Sequence, residues 1–249
     1  MMRITETVKQ LIIINILFFV GTLIVGEPAQ KILALHFPLN SEFKIWQPLT
    51  YMFMHGGIMH ILFNMMGLWM FGSLLENVWG AKKFIFFYLS CGIGAALLHI
   101  GINYISFYQG LSILQDNGFE KAEVLRLLAE GKYNREWENL LSPAQFSDFM
   151  GAYLTPTVGA SGAIYGILVA FAFIVPNAEL MLLFLPIPIK AKYFVPGLLA
   201  IDLFLGLKGQ AIFGGGDGIA HFAHLGGALI GFIMMWYWNK NQFNNNRWN

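Results

Sequence analysis

Six stretches of this 249-residue chain meet or approach the roughly 20 apolar residues that a helix needs to cross the hydrocarbon core of a bilayer. No other feature restricts the fold as strongly. The stretches are Gln10–Gly26, Ile58–Leu75, Phe84–Tyr104, a run from about Val158 to Val175 that ends before Pro176, Tyr193–Leu207 with Asp202 inside it, and Gly218–Trp238. In hydrocarbon a backbone must satisfy its own hydrogen bonds, so such stretches are expected to be helices. Composition agrees: 57% hydrophobic and only 12% charged residues leave too few polar side chains to cover a soluble domain. The expected architecture is an all-α membrane protein, one domain over residues 1–249, embedded in the lipid bilayer by a six-transmembrane-helix bundle. The first stretch also resembles the apolar region of a signal peptide, but no small-x-small cleavage site follows it and five more spans come after it.

Lysine and arginine in the short loops set the expected orientation. With the N-terminus in the cytoplasm, Arg3, Lys9, Lys82, Lys83, Lys190, Lys192, Lys240 and Arg247 lie inside, and only Lys31, Lys44 and Lys208 lie in short outer loops. Both termini are therefore expected to be cytoplasmic. Between spans three and four, residues 106–151 regain charge with an acidic excess and read as a helical extramembrane insert. Phe119, Ala122, Leu125 and Leu128 recur at helical spacing, Gly131 is a plausible stop, and Ser142-Pro-Ala-Gln145 has the form of a capping box. A net charge of +1 without a basic stripe makes nucleic acid an unexpected partner. Cys91, the single cysteine, reads as a small core hydrophobe.

Polar residues at membrane depth cost free energy and call for a reason. Gly159-Ala160-Ser161-Gly162 opens the fourth span, where a serine at a helix N-terminus shares its position with backbone N–H groups and the positive end of the helix dipole. The same string, with Gly166 and Ala170 beyond it, also suits a small-residue packing face. Ala223-His224-Leu225-Gly226-Gly227 in the sixth span places an imidazole, a suitable general base, on a helix whose glycines allow a close neighbour. A histidine bonded to a backbone carbonyl is the alternative. His60 and Asn64, four apart, share one face of the second span and could donate to an oxyanion or serve as interhelical glue. His55, His99, His221 and Asp202 complete the polar set; no H-E-x-x-H motif is present and no carboxylate or cysteine sits at ligand spacing, so no metal or cofactor is expected. Asp202 is expected to be a buried hydrogen-bonding or gating residue, with nothing near it in sequence to exchange a proton.

Together the G-x-S-G, A-H-L-G-G and H-x-x-x-N motifs, in that arrangement of spans and with Trp46 in an apolar first loop, resemble the rhomboid family of intramembrane serine proteases. The resemblance covers about Gln10 to Trp238 apart from the insert. It implies an intramembrane serine endopeptidase of bacterial type in the inner (plasma) membrane, cleaving transmembrane-helix substrates through an acyl-enzyme. It also implies a Ser161–His224 dyad without an acidic third member, and an oxyanion hole from His60, Asn64 and the Ser161 N–H. Tyr165 would stack on His224, Gly159 and Gly162 would support the serine, and Glu76 would be structural. The Phe213–Gly218 loop is a reasonable lid over the cavity. Two departures stand out: Trp46-Gln47 replaces a Trp-Arg pair, which puts a loop hydrogen bond in question, and the insert is absent from the smallest relatives. A catalytically dead, helix-binding relative is disfavoured because serine and histidine are both present. A transporter would call for more ionisable residues along the spans.

Overall fold

A computed structural model describes residues 3–182, 185–208 and 220–245. The Phe213–Gly218 loop and Arg247 lie outside the described residues. Among the described residues, twelve α-helices run in chain order: α1 Glu6–Val25, α2 Glu27–Leu33, α3 Gln47–Thr50, α4 Ile58–Gly67, α5 Ser73–Trp79, α6 Ala81–Asp116, α7 Lys121–Ala129, α8 Trp137–Leu140, α9 Pro143–Leu154, α10 Ser161–Ile174, α11 Ala191–Lys208 and α12 Ala220–Asn245. A turn of π-helix over Leu68–Gly72 joins α4 to α5 into one run, Ile58–Trp79. Among the described residues, three helical runs are long and apolar enough to cross a membrane: Glu6–Val25, Ile58–Trp79 and Ala81–Asp116. The helix opened by Ser161 is apolar but shorter, at 14 residues.

Large apolar side chains cover much of the outside; Ile24 is 80% exposed and Leu207 73%. Such a surface belongs against lipid tails. Inside, most of α10 is buried, and Ala163, Ile164, Ile167 and Ala170 join Ile61 and Met65 of α4 and Phe84, Phe87, Tyr88 and Cys91 of α6 in the main core.

The helix expected to end near Tyr104 continues to Asp116: no proline interrupts it, Gly110 is held within it, and it ends just ahead of Gly118, whose φ is +90°. The extension carries its own core: Phe107, Leu111 and Leu114 pack with Val124 and Leu128 of α7, Trp137 of α8 and Phe149 of α9. Phe107 and Phe149 stack at 4.9 Å. The capping box forms, with Gln145 N donating to Ser142 Oγ and Ser142 N to Gln145 Oε1.

One departure from an all-helical chain is a hairpin between α10 and α11, where β1 (Glu179–Leu182) pairs antiparallel with β2 (Leu185–Lys190). Pro186 and Pro188 in the Leu185–Lys190 stretch remove the amides a helix would need there.

Gln47 accounts for the departure noted in the first loop. It is fully buried; its Nε2 donates to the carbonyls of Glu42 at 2.8 Å and Lys31 at 3.0 Å, and its Oε1 accepts from His36 N at 3.2 Å. Trp46 Nε1 donates to Ile32 O at 2.9 Å. The amide thus ties the segment after α2 to the start of α3. Glu76 caps α1, accepting from Thr7 N and Val8 N at 3.0 Å each and from the Thr5 hydroxyl. A carboxylate there meets the orphan amides and the positive end of the α1 dipole.

Candidate active site

Helix α10 begins at Ser161 because the chain must turn sharply just before it. Gly159 has φ +134°, a conformation open to glycine, and its N–H donates to Tyr51 O at 2.9 Å. The preceding segment is pinned as well. Thr157 and Leu35 exchange backbone bonds of 2.9 Å, and Thr157 Oγ1 lies 2.6 Å from His99 Nε2. His99 also sits 3.1 Å from Asn103 Nδ2.

Glycines bring α12 against α10. A Cβ on Gly227 would collide with the carbonyl of Gly162, and one on Gly231 would lie 2.8 Å from Gly166 Cα. On the other side of α12, a Cβ on Gly226 would lie 3.1 Å from Gly94 O of α6. Backbones this close let short side chains meet, and His224 Nε2 lies 2.9 Å from Ser161 Oγ. The Tyr165 ring stacks on His224, with centroids 4.3 Å apart and planes 12° from parallel.

His60 approaches from α4. A Cβ on Gly159 would lie 2.8 Å from His60 Nε2 and 3.5 Å from Ser161 Oγ, so imidazole and hydroxyl border the same small space. Gly56 N donates to His60 Nδ1 at 3.4 Å, a long contact that favours the proton on Nε2, the atom facing the serine. Asn64, buried one turn further on, donates through Nδ2 to His60 O at 3.0 Å. One amide hydrogen remains for another acceptor. His55, also buried, packs edge-on to His60 with centroids at 5.0 Å.

Asp202 of α11 is where spacing in the sequence gave no lead. It is 1% exposed, and its Oδ1 lies 2.5 Å from His221 Nδ1 and 3.4 Å from His224 Nδ1. A carboxylate therefore faces the far side of the imidazole that meets Ser161, whereas the sequence reading left the pair without one. The available signal was its cost: a carboxylate inside an apolar span needs a partner. The partner sits on another helix, 22 residues away, so the pairing had no local pattern.

Apolar helices of spanning length make this a helical membrane protein. The rhomboid domain family model matches residues 42–115 and 139–241, and the chain belongs to the rhomboid family. It is 27% identical over 188 residues to rhomboid protein 1, mitochondrial, of Saccharomyces cerevisiae, covering 76% of this chain and 40% of that one. To the presenilin-associated rhomboid-like protein, mitochondrial, of Mus musculus it is 27% identical over 186 residues, 74% of this chain and 35% of the relative. A 59-residue segment is 36% identical to rhomboid protease GluP of Bacillus subtilis, 24% of this chain and 12% of that protein. The chain thus spans two fifths or less of the length of these relatives. Two of them are mitochondrial by name, so the bacterial plasma membrane is not singled out.

Proposed function

We propose that this protein is an intramembrane serine endopeptidase that cuts the transmembrane helices of other membrane proteins. The 2.9 Å contact of Ser161 Oγ with His224 Nε2 at the N-terminus of α10 carries the reading. Ser161 is the nucleophile and His224 its general base. Asp202 accepts the Nδ1 proton of His224, which leaves Nε2 free to take the serine's proton. The role of Asp202 makes the pair part of a looser triad.

A substrate helix unwinds at small or helix-breaking residues, because a peptide bond in a regular helix is shielded and hydrogen-bonded. Ser161 attacks the exposed carbonyl while His224 takes its proton. His60 Nε2–H, the second amide hydrogen of Asn64 and the Ser161 N–H hold the oxyanion. The departing amine takes the proton from His224, and water activated by His224 then releases the acyl group. Tyr165 holds the imidazole by stacking, and Gly159 and Gly162 give the serine its turn and the imidazole its access.

We place the site in a six-span bundle, a single domain with both termini cytoplasmic and residues 106–151 as an extramembrane insert, and with lipid and helical substrates as partners. The test is labelling of the detergent-purified protein by a fluorophosphonate probe, together with cleavage of a model transmembrane substrate. Both are expected in the unaltered protein and absent from Ser161→Ala and His224→Ala. Cleavage retained by Ser161→Ala would overturn the assignment.

A further inference from the structure

Asp202, His221 and His224 bring a carboxylate and two imidazoles together across α11 and α12, with the potential ligand atoms all within 4.8 Å of one another. Within the cluster the carboxylate is unevenly used. Its Oδ1 serves both imidazoles and the Tyr165 hydroxyl approaches the carboxylate, yet Oδ2, in a side chain 1% exposed, makes no hydrogen bond of normal geometry among the described residues. A buried carboxylate oxygen without a partner is costly and points to an unsatisfied requirement for a proton or a cation.

We propose that Asp202, His221 and His224 form a binding site for a divalent transition-metal ion of the zinc class, and that an ion bound there switches the serine–histidine pair off. The inference rests on the reading of His224 as the base for Ser161.

Two imidazoles and one carboxylate, with a fourth position for water, are a donor set that suits zinc and its neighbours better than magnesium or calcium. Ligands bound at about 2.0–2.2 Å in a tetrahedron stand roughly 3.3–3.6 Å apart. Asp202 Oδ1 and His224 Nδ1 are already 3.4 Å apart, and Asp202 and His221, at 2.5 Å, would open by about 1 Å to reach that spacing. His224 is partly exposed, its side chain 23% accessible, which gives an ion an approach.

Inhibition follows from the chemistry of imidazole. A neutral ring has one N–H and one lone pair for its two nitrogens. With the proton on Nδ1, facing Asp202, Nε2 can accept from Ser161. With a metal on Nδ1, the lone pair is used there and the proton moves to Nε2, which then donates to Ser161 Oγ and can no longer accept its proton. The ion and the active tautomer thus compete for one nitrogen, with no net proton released from His224.

Binding and inhibition are tested separately. Chelator-stripped Ser161→Ala protein in detergent is titrated with cobalt(II), whose visible d–d bands report tetrahedral nitrogen and oxygen ligation. One ion per chain is expected. Asp202→Asn and His221→Asn, with folding checked by thermal unfolding, are each expected to weaken binding by at least about tenfold, the lower bound for even outer-shell partners of a metal. Unaltered protein is then labelled with fluorophosphonate in buffered zinc; labelling is expected to slow and to recover on chelation. No cobalt binding, or binding retained by both variants, overturns the site. Binding without slowed labelling overturns the switch. Absence of labelling even in chelator speaks against the protease reading, while the cobalt titration still decides the site.

Discussion

Replacing Gly227 with alanine tests whether helix packing positions the serine and histidine. The added Cβ would point into the Gly162 peptide, with the carbonyl carbon at 2.5 Å and Gly162 Cα at 3.1 Å. Non-bonded carbons settle at about 3.5–4.0 Å, so α10 and α12 would have to part by on the order of 1 Å. A neighbouring contact resists the same movement, since a Cβ on Gly231 would already be 2.8 Å from Gly166 Cα. Applied to the 2.9 Å Ser161–His224 contact, such a displacement exceeds the range of a hydrogen bond. Misplacement of reacting groups by about 1 Å lowers rates by roughly a hundredfold, or about 2.7 kcal/mol in the barrier. The expected outcome for Gly227→Ala is a loss of that size in fluorophosphonate labelling rate and in kcat/KM, measured well below the unfolding temperature because overpacking also costs about 1–3 kcal/mol of stability. Gly101→Ala is the control: nothing lies within 4 Å of a Cβ there, and labelling should be unaffected. Gly227→Ala with a wild-type labelling rate would refute the claim that this close approach sets the catalytic distance.

Asn64→Ala should reduce kcat by on the order of a hundred- to a thousandfold, as for loss of one oxyanion donor, and remain measurably above Ser161→Ala in the same cleavage assay. Asp202→Asn should slow labelling, by less than the roughly 10⁴-fold seen when a close triad carboxylate is replaced, because the contact to His224 here is 3.4 Å; nitrogen NMR of labelled histidine should show the proton of His224 leaving Nδ1, and an unchanged tautomer would refute the assigned role. Glu76→Ala removes the carboxylate that accepts from Thr7 and Val8 at the start of α1 and should lower stability by about 2–3 kcal/mol, read by denaturation, with labelling retained at low temperature. Gln47→Ala leaves the His36 amide and the Lys31 and Glu42 carbonyls without their partner and should cost about 1–3 kcal/mol in the same measurement.

The sequence by itself determined the apolar lengths that demand helices, the capping box at Ser142, and the local grouping of serine, histidine and glycine. Each depends on residues within a turn or two of one another, and bilayer thickness and helical period make such patterns readable. Glycines at 162, 166, 226 and 227 also announced close-packing faces before any partner was known. Tertiary structure decided which faces met. It brought Asp202 of α11 to the far side of His224, gave Gln47 its three-way anchorage, and extended α6 to Asp116 so that Trp137 and Phe149 had a core to fill. Those outcomes depend on the crossing and rotation of helices distant in sequence. Such rotation is set by the summed packing of many side chains, and no single spacing records that sum.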